Sequence, residues 1–244
     1  MAHKLQVEGM NDLGVFTKLT NTYCLCGITQ SNVYFSNLQR LLGNLIPVIR
    51  TSVSNCRILG RLSVANRHGI VIPDTTTDDE IKHLRNSLPE EVKIRRVTDR
   101  LTGLGNLVSV NDYYAICHHE LDSETIQAIE DTLNVEAFRN FMKEDELFGT
   151  YCVLNNKGGM VPGKTPKSKI EELEGLLGIR IVPGTVNRGS DMLAAGLIVN
   201  DWTAMTGLAT TPHEIDLINT AFQLPYSVRH WDSITRKNII EMAS

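Results

Sequence analysis

The segments NRHGIVIP (Asn66 to Pro73) and NNKGGMVP (Asn155 to Pro162) place Asn, Gly and Pro at the same three offsets. Self-similarity at a fixed period is typical of repeat architectures. An asparagine recurs through the chain at intervals of 44 or 45 residues, at Asn21, Asn66, Asn111, Asn155 and Asn200. The spacing therefore predicts five structural units of similar length.

A second residue recurs at a nearly constant distance from the asparagine. Six or seven residues before the asparagine stands a glycine in four units, namely Gly14, Gly60, Gly105 and Gly149, and Ala194 takes that place in the fifth. The residues between the two markers are short, apolar-rich runs of strand length, bounded by turn residues. Two markers in one phase favour a true repeat over a chance periodicity.

Downstream of each asparagine, apolar residues follow at i, i+3 and i+7, which predicts one amphipathic helix per unit. Thr77, Ser168 and Thr211 are each followed three residues later by glutamate, which predicts three capping boxes. Gly43 and Gly178 stand where a helix end favours a left-handed residue. The predicted helical stripes are Phe35, Leu38, Leu42; Ile81, Leu84, Leu88; Ile126, Ile129, Leu133; Ile170, Leu173, Leu177; and Ile215, Ile218, Phe222.

Another short strand follows four of the five helices, at 46–50, 92–96, 135–139 and 179–183. The fifth helix has no such successor, and the segment LQVEG (5–9) is the candidate that completes its unit. Units whose ends complement each other favour a closed ring, because closure hides the strand edges. We expect a closed, five-fold pseudosymmetric α/β propeller in one domain over residues 1–224, followed by a C-terminal tail at 225–244.

The charge balance argues against a protein that coats nucleic acid. The net charge is −4 and the isoelectric point is near 6.0, whereas phosphate-binding surfaces are normally basic. The densest basic cluster is Lys93, Arg95, Arg96 and Arg100, and we interpret it as a solvated strand edge.

The five cysteines are an odd number without paired spacing. No apolar N-terminal stretch and no run of membrane-spanning length is present in the sequence. These features favour reduced thiols in the cytosol or nucleus, with no membrane association.

Several long segments resemble the eukaryotic translation initiation factor 6 family. They are KLTNTYCL (18–25), IPVIRTSVSNCRILGRLSVANRHGIVIP (46–73), HLRNSLPEEVKIRRV (83–97), LGNLVSVNDY (104–113) and VPGTVNRGSDMLAAGLIVNDW (182–202). The resemblance covers residues 8 to 224 in order. It implies a pentein-type ring, in agreement with the repeat, and a protein without catalysis or cofactor.

The same resemblance implies a ribosome anti-association factor found in the cytoplasm and in the nucleus and nucleolus. Family members bind the intersubunit face of the large ribosomal subunit, block joining with the small subunit and accompany large-subunit maturation. The implied contact is a ribosomal protein near the sarcin–ricin loop, with limited contact to ribosomal RNA. An elongation-factor-like GTPase and the Shwachman–Diamond protein are the implied partners for release.

The repeat indicates which end of the ring binds. The glycines before the inner strands lie at equivalent positions and must gather at one end, whereas the residues after them differ between units. A surface that an asymmetric partner recognises should differ in this way, whereas residues needed only for the fold, such as the recurring asparagines, should repeat. The predicted ribosome-binding patch is Gly14, Gly60, Arg61, Gly105, Asn106, Gly149, Tyr151 and Met192. The alternative for the glycines is that they are tight turns that need positive φ.

Two other functions stay open from the residues. Pentein-type guanidine-modifying hydrolases share the implied fold, but they use a cysteine nucleophile late in the chain, and residues 179–244 contain no cysteine.

The pair His118 and His119 is better explained as a solvated helix cap than as a ligand pair. Residues 103–106 lack the third glycine of a dinucleotide site. A scaffold for a non-ribosomal partner is the second alternative.

Regulation is the least specified feature. Ser233 and Thr235 in the tail are candidate phosphorylation sites. The serine pair that the resemblance implies in the fourth helix is absent, since Glu174 and Gly175 stand there. A closed ring leaves few free strand edges, so we expect a monomer.

Overall fold

The computed structural model describes residues 1–139 and 147–225, in which five three-stranded sheets surround a central channel. The strands are β1 (Ala2–Leu5), β2 (Thr17–Leu19), β3 (Cys24–Gly27), β4 (Val48–Thr51), β5 (Val64–Ala65), β6 (Gly69–Pro73), β7 (Lys93–Val97), β8 (Val108–Val110), β9 (Tyr114–Cys117), β10 (Glu136–Arg139), β11 (Val153–Leu154), β12 (Gly158–Pro162), β13 (Arg180–Gly184), β14 (Leu197–Val199) and β15 (Ala204–Gly207).

Two kinds of helix accompany these strands. Five long helices are α2 (Val33–Leu42), α4 (Asp78–Ser87), α6 (Ser123–Leu133), α8 (Lys167–Leu177) and α10 (Pro212–Ala221). Five single-turn helices are α1 (Leu13–Phe16), α3 (Leu59–Leu62), α5 (Leu104–Leu107), α7 (Phe148–Tyr151) and α9 (Leu193–Gly196). The long helices are those that the apolar stripes predict, and the short helices were not predicted.

Each sheet, here called a blade, is built in the same way. In the second blade the inner strand β5 pairs antiparallel with β6, and β6 pairs parallel with the outer strand β7. A parallel pair needs a crossover connection, and the long helix α4 supplies it. The blade orders β2-β3-β4, β5-β6-β7, β8-β9-β10, β11-β12-β13 and β14-β15-β1 confirm the five-fold α/β propeller.

The N-terminal strand closes the ring, as predicted, but it is not the predicted segment. β1 pairs parallel with β15, in a register from Ala2 opposite Ala204 to Leu5 opposite Gly207. The predicted strand at 5–9 is therefore wrong by three residues. Its second half is a turn instead, in which the backbone of Val7 and Met10 exchanges two hydrogen bonds of 3.0 and 2.8 Å.

Each long helix packs between two blades. Leu84 of α4 is buried in one cluster with Ile70 of its own blade and with Tyr23 and Leu25 of the preceding blade. Four further clusters repeat this arrangement around the ring. In all five stripes the second and third apolar residues are buried, and the first is partly buried. A blade therefore completes its core only beside its neighbours, as in other repeat proteins.

The helix starts agree with two of the three predictions. Thr77 and Thr211 form reciprocal capping boxes, and Pro212 occupies the first turn after Thr211. The capping box at Ser168 is wrong, because α8 begins at Lys167 after an extended Pro166. Ser168 therefore lies inside the first turn of the helix.

The helix ends agree with one of two predictions. Gly178 follows α8 with φ of 64°, as a left-handed end requires. Gly43 follows α2 with φ of −63°, so the left-handed prediction is wrong there. The chain continues to turn in the right-handed sense, and the amides of Leu45 and Ile46 both donate to Leu42 O.

Glu214 makes the last unit sensitive to acid. Burial by itself would raise the pKa of this carboxylate, but hydrogen bonds from Thr211, Gly189 and Thr185 outweigh burial and lower the pKa to about 2. A lowered folded-state pKa stabilises the fold above the unfolded value of 4.5, and this stabilisation is lost as the pH falls toward 2.

We expect the slope of unfolding free energy against pH, between pH 5 and 3, to be smaller in Glu214→Gln than in the wild type. Urea titrations measure this slope, and Glu172→Gln on the exposed face of α8 is the control. Equal slopes in all three proteins would contradict this role.

The recurring asparagines link neighbouring blades, with one correction to their alignment. Asn66 accepts a hydrogen bond from the amide of His68 and donates to Asn111 O in the next blade. In the first blade Thr20, not Asn21, takes this place, since its hydroxyl accepts from the amides of Thr22 and Tyr23. The asparagine ring is thus Thr20, Asn66, Asn111, Asn155 and Asn200. The predicted Asn21 is wrong by one residue, because the next position is a second polar ring.

The second ring consists of Asn21, Arg67, Asp112, Asn156 and Asp201. In four of its five links, a backbone amide donates to the side-chain oxygen of the next blade, at 2.9 to 3.1 Å. Between the first and second blades the side chain of Arg67 has no acceptor atom. The hydroxyl of Thr22 donates to the backbone oxygen of Arg67 instead. Both polar rings therefore change their pattern at this one boundary.

The basic cluster is a solvated strand edge, as predicted. It lies on and after the outer strand β7, where Lys93 and Arg95 are exposed. Arg96 pairs with Asp78 at 2.6 Å, and Arg100 pairs with Glu120 at 3.0 Å. These surface pairs add little to stability.

Ser233, Thr235 and the rest of the tail from residue 226 lie outside the described residues, so the boundary at residue 224 stays a prediction. Among residues 1–139 and 147–225, no helix is long and apolar enough to cross a membrane.

Candidate binding surface at one end of the ring

The five short helices form a second, tighter ring at one end of the channel. Each contacts its two neighbours, and α9 contacts α1 to close the circle. A Cβ atom on Gly14 would collide with the backbone oxygen of Ala194, and one on Gly60 would collide with that of Gly14. The repeated glycine is therefore needed for close approach of one backbone to the next. The alternative of positive φ is wrong, because none of the four repeated glycines has it.

The predicted patch residues gather at this end, but half of them are not surface residues. Gly14, Gly60, Gly105 and Gly149 are buried in the contacts between short helices and supply no side chain to a partner. The prediction that they form an exposed patch is wrong for this reason.

The other four patch residues differ in their exposure. Asn106 is partly buried, and its Oδ1 accepts a hydrogen bond of 3.2 Å from Thr150. Tyr151 is also partly buried, whereas Met192 is 50% exposed. Arg61 extends toward the channel, and its Nη2 donates to Ala194 O at 3.1 Å across the ring of short helices. Its predicted display on the outer surface is wrong.

The exposed part of this end is built by the residues that precede the short helices, here called the crown. Its members occupy the N-cap position of each short helix and are Asp12, Ile58, Gly103, Leu147 and Met192. Three of them are large apolar side chains with exposed fractions of 38%, 41% and 50% for Ile58, Leu147 and Met192. Sequence reasoning found Met192 and missed the other two, although all lie two residues before the repeated glycine position.

The crown is suited to a protein partner. Only Asp12 among its members carries a formal charge. Methionine is enriched in the cores of protein interfaces, and charged residues are depleted there. Leu147 and Met192 precede the neighbouring helices α7 and α9, and exposed apolar side chains that lie close together mark interaction sites. The underlying ring of close backbone contacts holds these side chains on a rigid base.

The channel offers no arrangement for nucleophilic catalysis. Cys152 lines the half of the channel next to the short helices, and burial raises the pKa of its thiol to about 12. The described residues that line this half include no histidine, aspartate or glutamate. A cysteine that stays protonated and has no base beside it is a poor nucleophile.

The carboxylates of the channel lie at the opposite end. Asp112 and Asp201 belong to the second polar ring and line a separate cavity there. A waist shared by both cavities divides the channel, and it consists of Leu19, Ala65, Val110, Leu154 and Val199. The acidic groups and the thiol therefore face different halves.

The histidine pair is not a solvated cap. His118 is buried and stacks on His119 with ring centroids 4.4 Å apart, and its Nδ1 accepts from the amide of Glu120. The part of the chain that the structure describes holds no cluster of three metal-ligating side chains.

The closed ring of five α/β blades, with long helices outside and a narrow channel inside, places the protein in the class of pentein-type propellers. A model of the eIF-6 family matches residues 2–221. The chain belongs to the eIF-6 family.

Named relatives are similar in sequence to this chain over almost its whole length. Eukaryotic translation initiation factor 6 of Drosophila melanogaster is 51% identical over 224 residues, which are 92% of this chain and 91% of that protein. The factor of the same name from Saccharomyces cerevisiae is 47% identical over the same shares of both chains. The predicted family resemblance is confirmed.

Among solved structures, similarity is found to enzymes at low identity. A dimethylarginine dimethylaminohydrolase matches with a TM-score of 0.47 and 12% identity, covering 70% of this chain and 68% of that one. An inosamine-phosphate amidinotransferase from Streptomyces griseus matches with a TM-score of 0.47 and 6% identity, covering 71% and 60%. Matches at this level carry no information about activity here.

Proposed function

We propose that this protein is a non-catalytic ribosome anti-association factor. It binds the intersubunit face of the large ribosomal subunit and thereby prevents joining with the small subunit. Membership of the eIF-6 family carries this proposal, because the matching relatives are named translation initiation factors. The crown supplies a surface on which such binding can occur.

The proposed contact is mainly with a ribosomal protein, near the sarcin–ricin loop of the large-subunit RNA. Exposed Ile58, Leu147 and Met192 favour an apolar protein contact over a phosphate contact. A net charge of −4 likewise disfavours a large RNA footprint. Binding should therefore weaken only slightly as salt rises.

Inhibition of joining needs no chemistry in this proposal. A closed ring whose blades share their cores acts as a rigid body, and a rigid body on the intersubunit face excludes the small subunit while it is bound. Occupancy then sets the degree of inhibition through affinity and concentration. Release requires another factor, for which we propose an elongation-factor-like GTPase acting with the Shwachman–Diamond protein.

The proposal extends to large-subunit maturation and export. The protein would join the large subunit in the nucleolus and leave it in the cytoplasm, so both compartments are proposed locations. We further propose that it acts as a monomer, because every blade edge strand in the described ring is short.

The direct test is cosedimentation with isolated ribosomal subunits on sucrose gradients. The proposal expects saturable comigration with large subunits, none with small subunits, and fewer joined ribosomes as the protein is added. Absence of large-subunit binding would contradict the proposal. Turnover of a guanidino compound would support the hydrolase alternative. If the protein neither binds ribosomal subunits nor turns over such a compound, the scaffold alternative remains.

The crown gives a sharper prediction. Met192→Asp combined with Leu147→Asp should lower affinity for large subunits at least about tenfold, because apolar side chains at the centre of an interface contribute most of its energy. The melting temperature should change little, since both side chains are exposed. Gradient titrations and thermal melts measure the two effects.

Val33→Asp is the matched control for this prediction. Val33 is an apolar side chain with an exposed fraction of 68%, but it begins the outer helix α2, away from the crown. The control should bind like the wild type. Equal loss of binding in both variants, or no loss in the crown variant, would remove the crown from the interface.

A further inference from the structure

Among residues 1–139 and 147–225, those that line the half of the channel next to the short helices include two cationic side chains and no anionic one. Lys18 and Arg61 both line this cavity, which has a volume of about 80 Å³. In the part of the chain that the structure describes, the remaining lining residues include no aspartate or glutamate, and Cys152 is their one other ionisable side chain. Like charges without a counter-charge are unfavourable in a buried site.

The cationic groups also lack hydrogen-bond acceptors. Of the three guanidinium nitrogens of Arg61, only Nη2 has a partner, the oxygen of Ala194. Nε and Nη1 are buried and have no partner among the described residues. Lys18 lines the same cavity, and no acidic side chain among the described lining residues accepts from its Nζ. Unsatisfied buried donors are rare in proteins and call for an unseen partner.

The electrostatic consequences are visible at both groups. Burial and, to a smaller extent, the charge of Arg61 together lower the pKa of Lys18 to about 7. Burial also lowers the pKa of Arg61 to about 10. An anion between them would reverse both effects, because an opposite charge nearby favours the protonated form.

The size and shape of the cavity set limits on the anion. One water needs about 10–15 Å³ of such volume, so the cavity has room for roughly five to eight water-sized groups. A tetrahedral oxyanion has four oxygens at the corners of a compact shape and fits within this room. Thr17 and Ser109 also line the cavity, but the hydroxyl of Thr17 pairs with that of Tyr34 and the hydroxyl of Ser109 donates to Cys152 O.

We propose that this cavity is a binding site for one tetrahedral oxyanion, sulfate or inorganic phosphate, held between Lys18 and Arg61. Its oxygens accept hydrogen bonds from Nε and Nη1 of Arg61 and from Nζ of Lys18. Charge-assisted bonds of this kind are the stronger hydrogen bonds in proteins. Arg61 thus acts inside the ring, as a ligand for the anion and as a tie to α9.

The two ends of the channel indicate the route of entry. At the far end, Asp112 and Asp201 repel an anion, and burial raises the pKa of Asp201. The waist of Leu19, Ala65, Val110, Leu154 and Val199 separates that end from the site. The anion therefore enters past the short helices, where the Arg61 side chain lies across the opening.

Calorimetry and thermal melting with sodium sulfate test the site, with sodium chloride at equal ionic strength as the reference. We expect a saturable rise of the melting temperature with sulfate beyond that with chloride. Lys18→Met should weaken sulfate binding at least about tenfold, and Lys18→Arg should restore most of it. Lys82→Met, on the exposed face of α4, should bind sulfate like the wild type. Inorganic phosphate in place of sulfate shows whether the site distinguishes the two.

Proton uptake gives a readout that needs no variant. Because sulfate does not titrate between pH 6 and 9, protons taken up on binding belong to the protein. At pH 8 the Lys18 amine is largely neutral, with its pKa about 7, so sulfate binding should draw a fraction of one proton. Calorimetry in buffers of different ionisation enthalpy measures this number. Identical melting in sulfate and chloride, unchanged binding in Lys18→Met, or binding without proton uptake would each overturn the proposal.

Discussion

Gly14→Ala is expected to lower the free energy of unfolding by about 3 kcal/mol, because one added methyl group forces two blades apart. The Cβ would collide with the backbone oxygen of Ala194, and backbone at a closed ring cannot move aside as a flexible side chain can. For a domain of this size, about 3 kcal/mol corresponds to a fall of about 6–12 °C in melting temperature.

The same chain supplies a control of opposite sign. Gly175 lies inside helix α8, and a Cβ added there meets nothing within 4 Å. Gly175→Ala should raise stability by about 0.5–1 kcal/mol, because alanine favours the helix over glycine. Thermal and urea unfolding measure both variants. Equal behaviour of the two would show that the close approach of short helices does not limit position 14.

Asn66→Ala is expected to cost about 3 kcal/mol, through the loss of three hydrogen bonds made by one buried side chain. Its Oδ1 accepts from the amide of His68, and its Nδ2 donates to Asn111 O and Leu133 O. Alanine leaves these three backbone groups without this partner at a position where the residue is only 3% exposed.

Asn66→Thr separates the local role of this side chain from its role between blades. Thr20 shows that a hydroxyl at this position satisfies the turn amides of its own blade. Threonine should therefore recover about 1 kcal/mol of the loss while the bonds to Asn111 O and Leu133 O stay broken. Urea unfolding of the three proteins tests this order. If the Asn66→Ala variant unfolds at the same urea concentration as the wild type, the asparagine ring does not hold the blades together.

The fold could be predicted because the sequence has two periodicities: the helical spacing of apolar residues within each unit, and the interval between successive units. Stripes such as Ile81, Leu84 and Leu88 specify a helix by their own spacing, and the 44- or 45-residue interval specifies how many times the unit occurs. Closure was predictable because the last unit lacks a strand. The exact strand was not, since LQVEG and AHKL are both plausible short strands until the turn at Val7 and Met10 is seen.

The sequence predicted that the repeated glycines gather at one end of the ring, but it did not predict which side chains are exposed there. The position of Gly14 shows that backbone is crowded or strained there, and it does not say which, because both demand glycine. Arg61 was assigned to the patch because the residue after each glycine differs between units, yet its side chain lines the channel. The crown was missed because its members differ in type, and only the short helices reveal that Ile58 and Leu147 occupy equivalent positions.

The pairing of β1 with β15 has a consequence for how the protein is made. Ala2 leaves the ribosome before its partner Ala204, which follows more than 200 residues later. At a synthesis rate of about 5–20 residues per second, this first strand waits roughly 10–40 s for the segment it must join. During translation the nascent chain is an incomplete arc, and only the arrival of β15 lets its two ends meet.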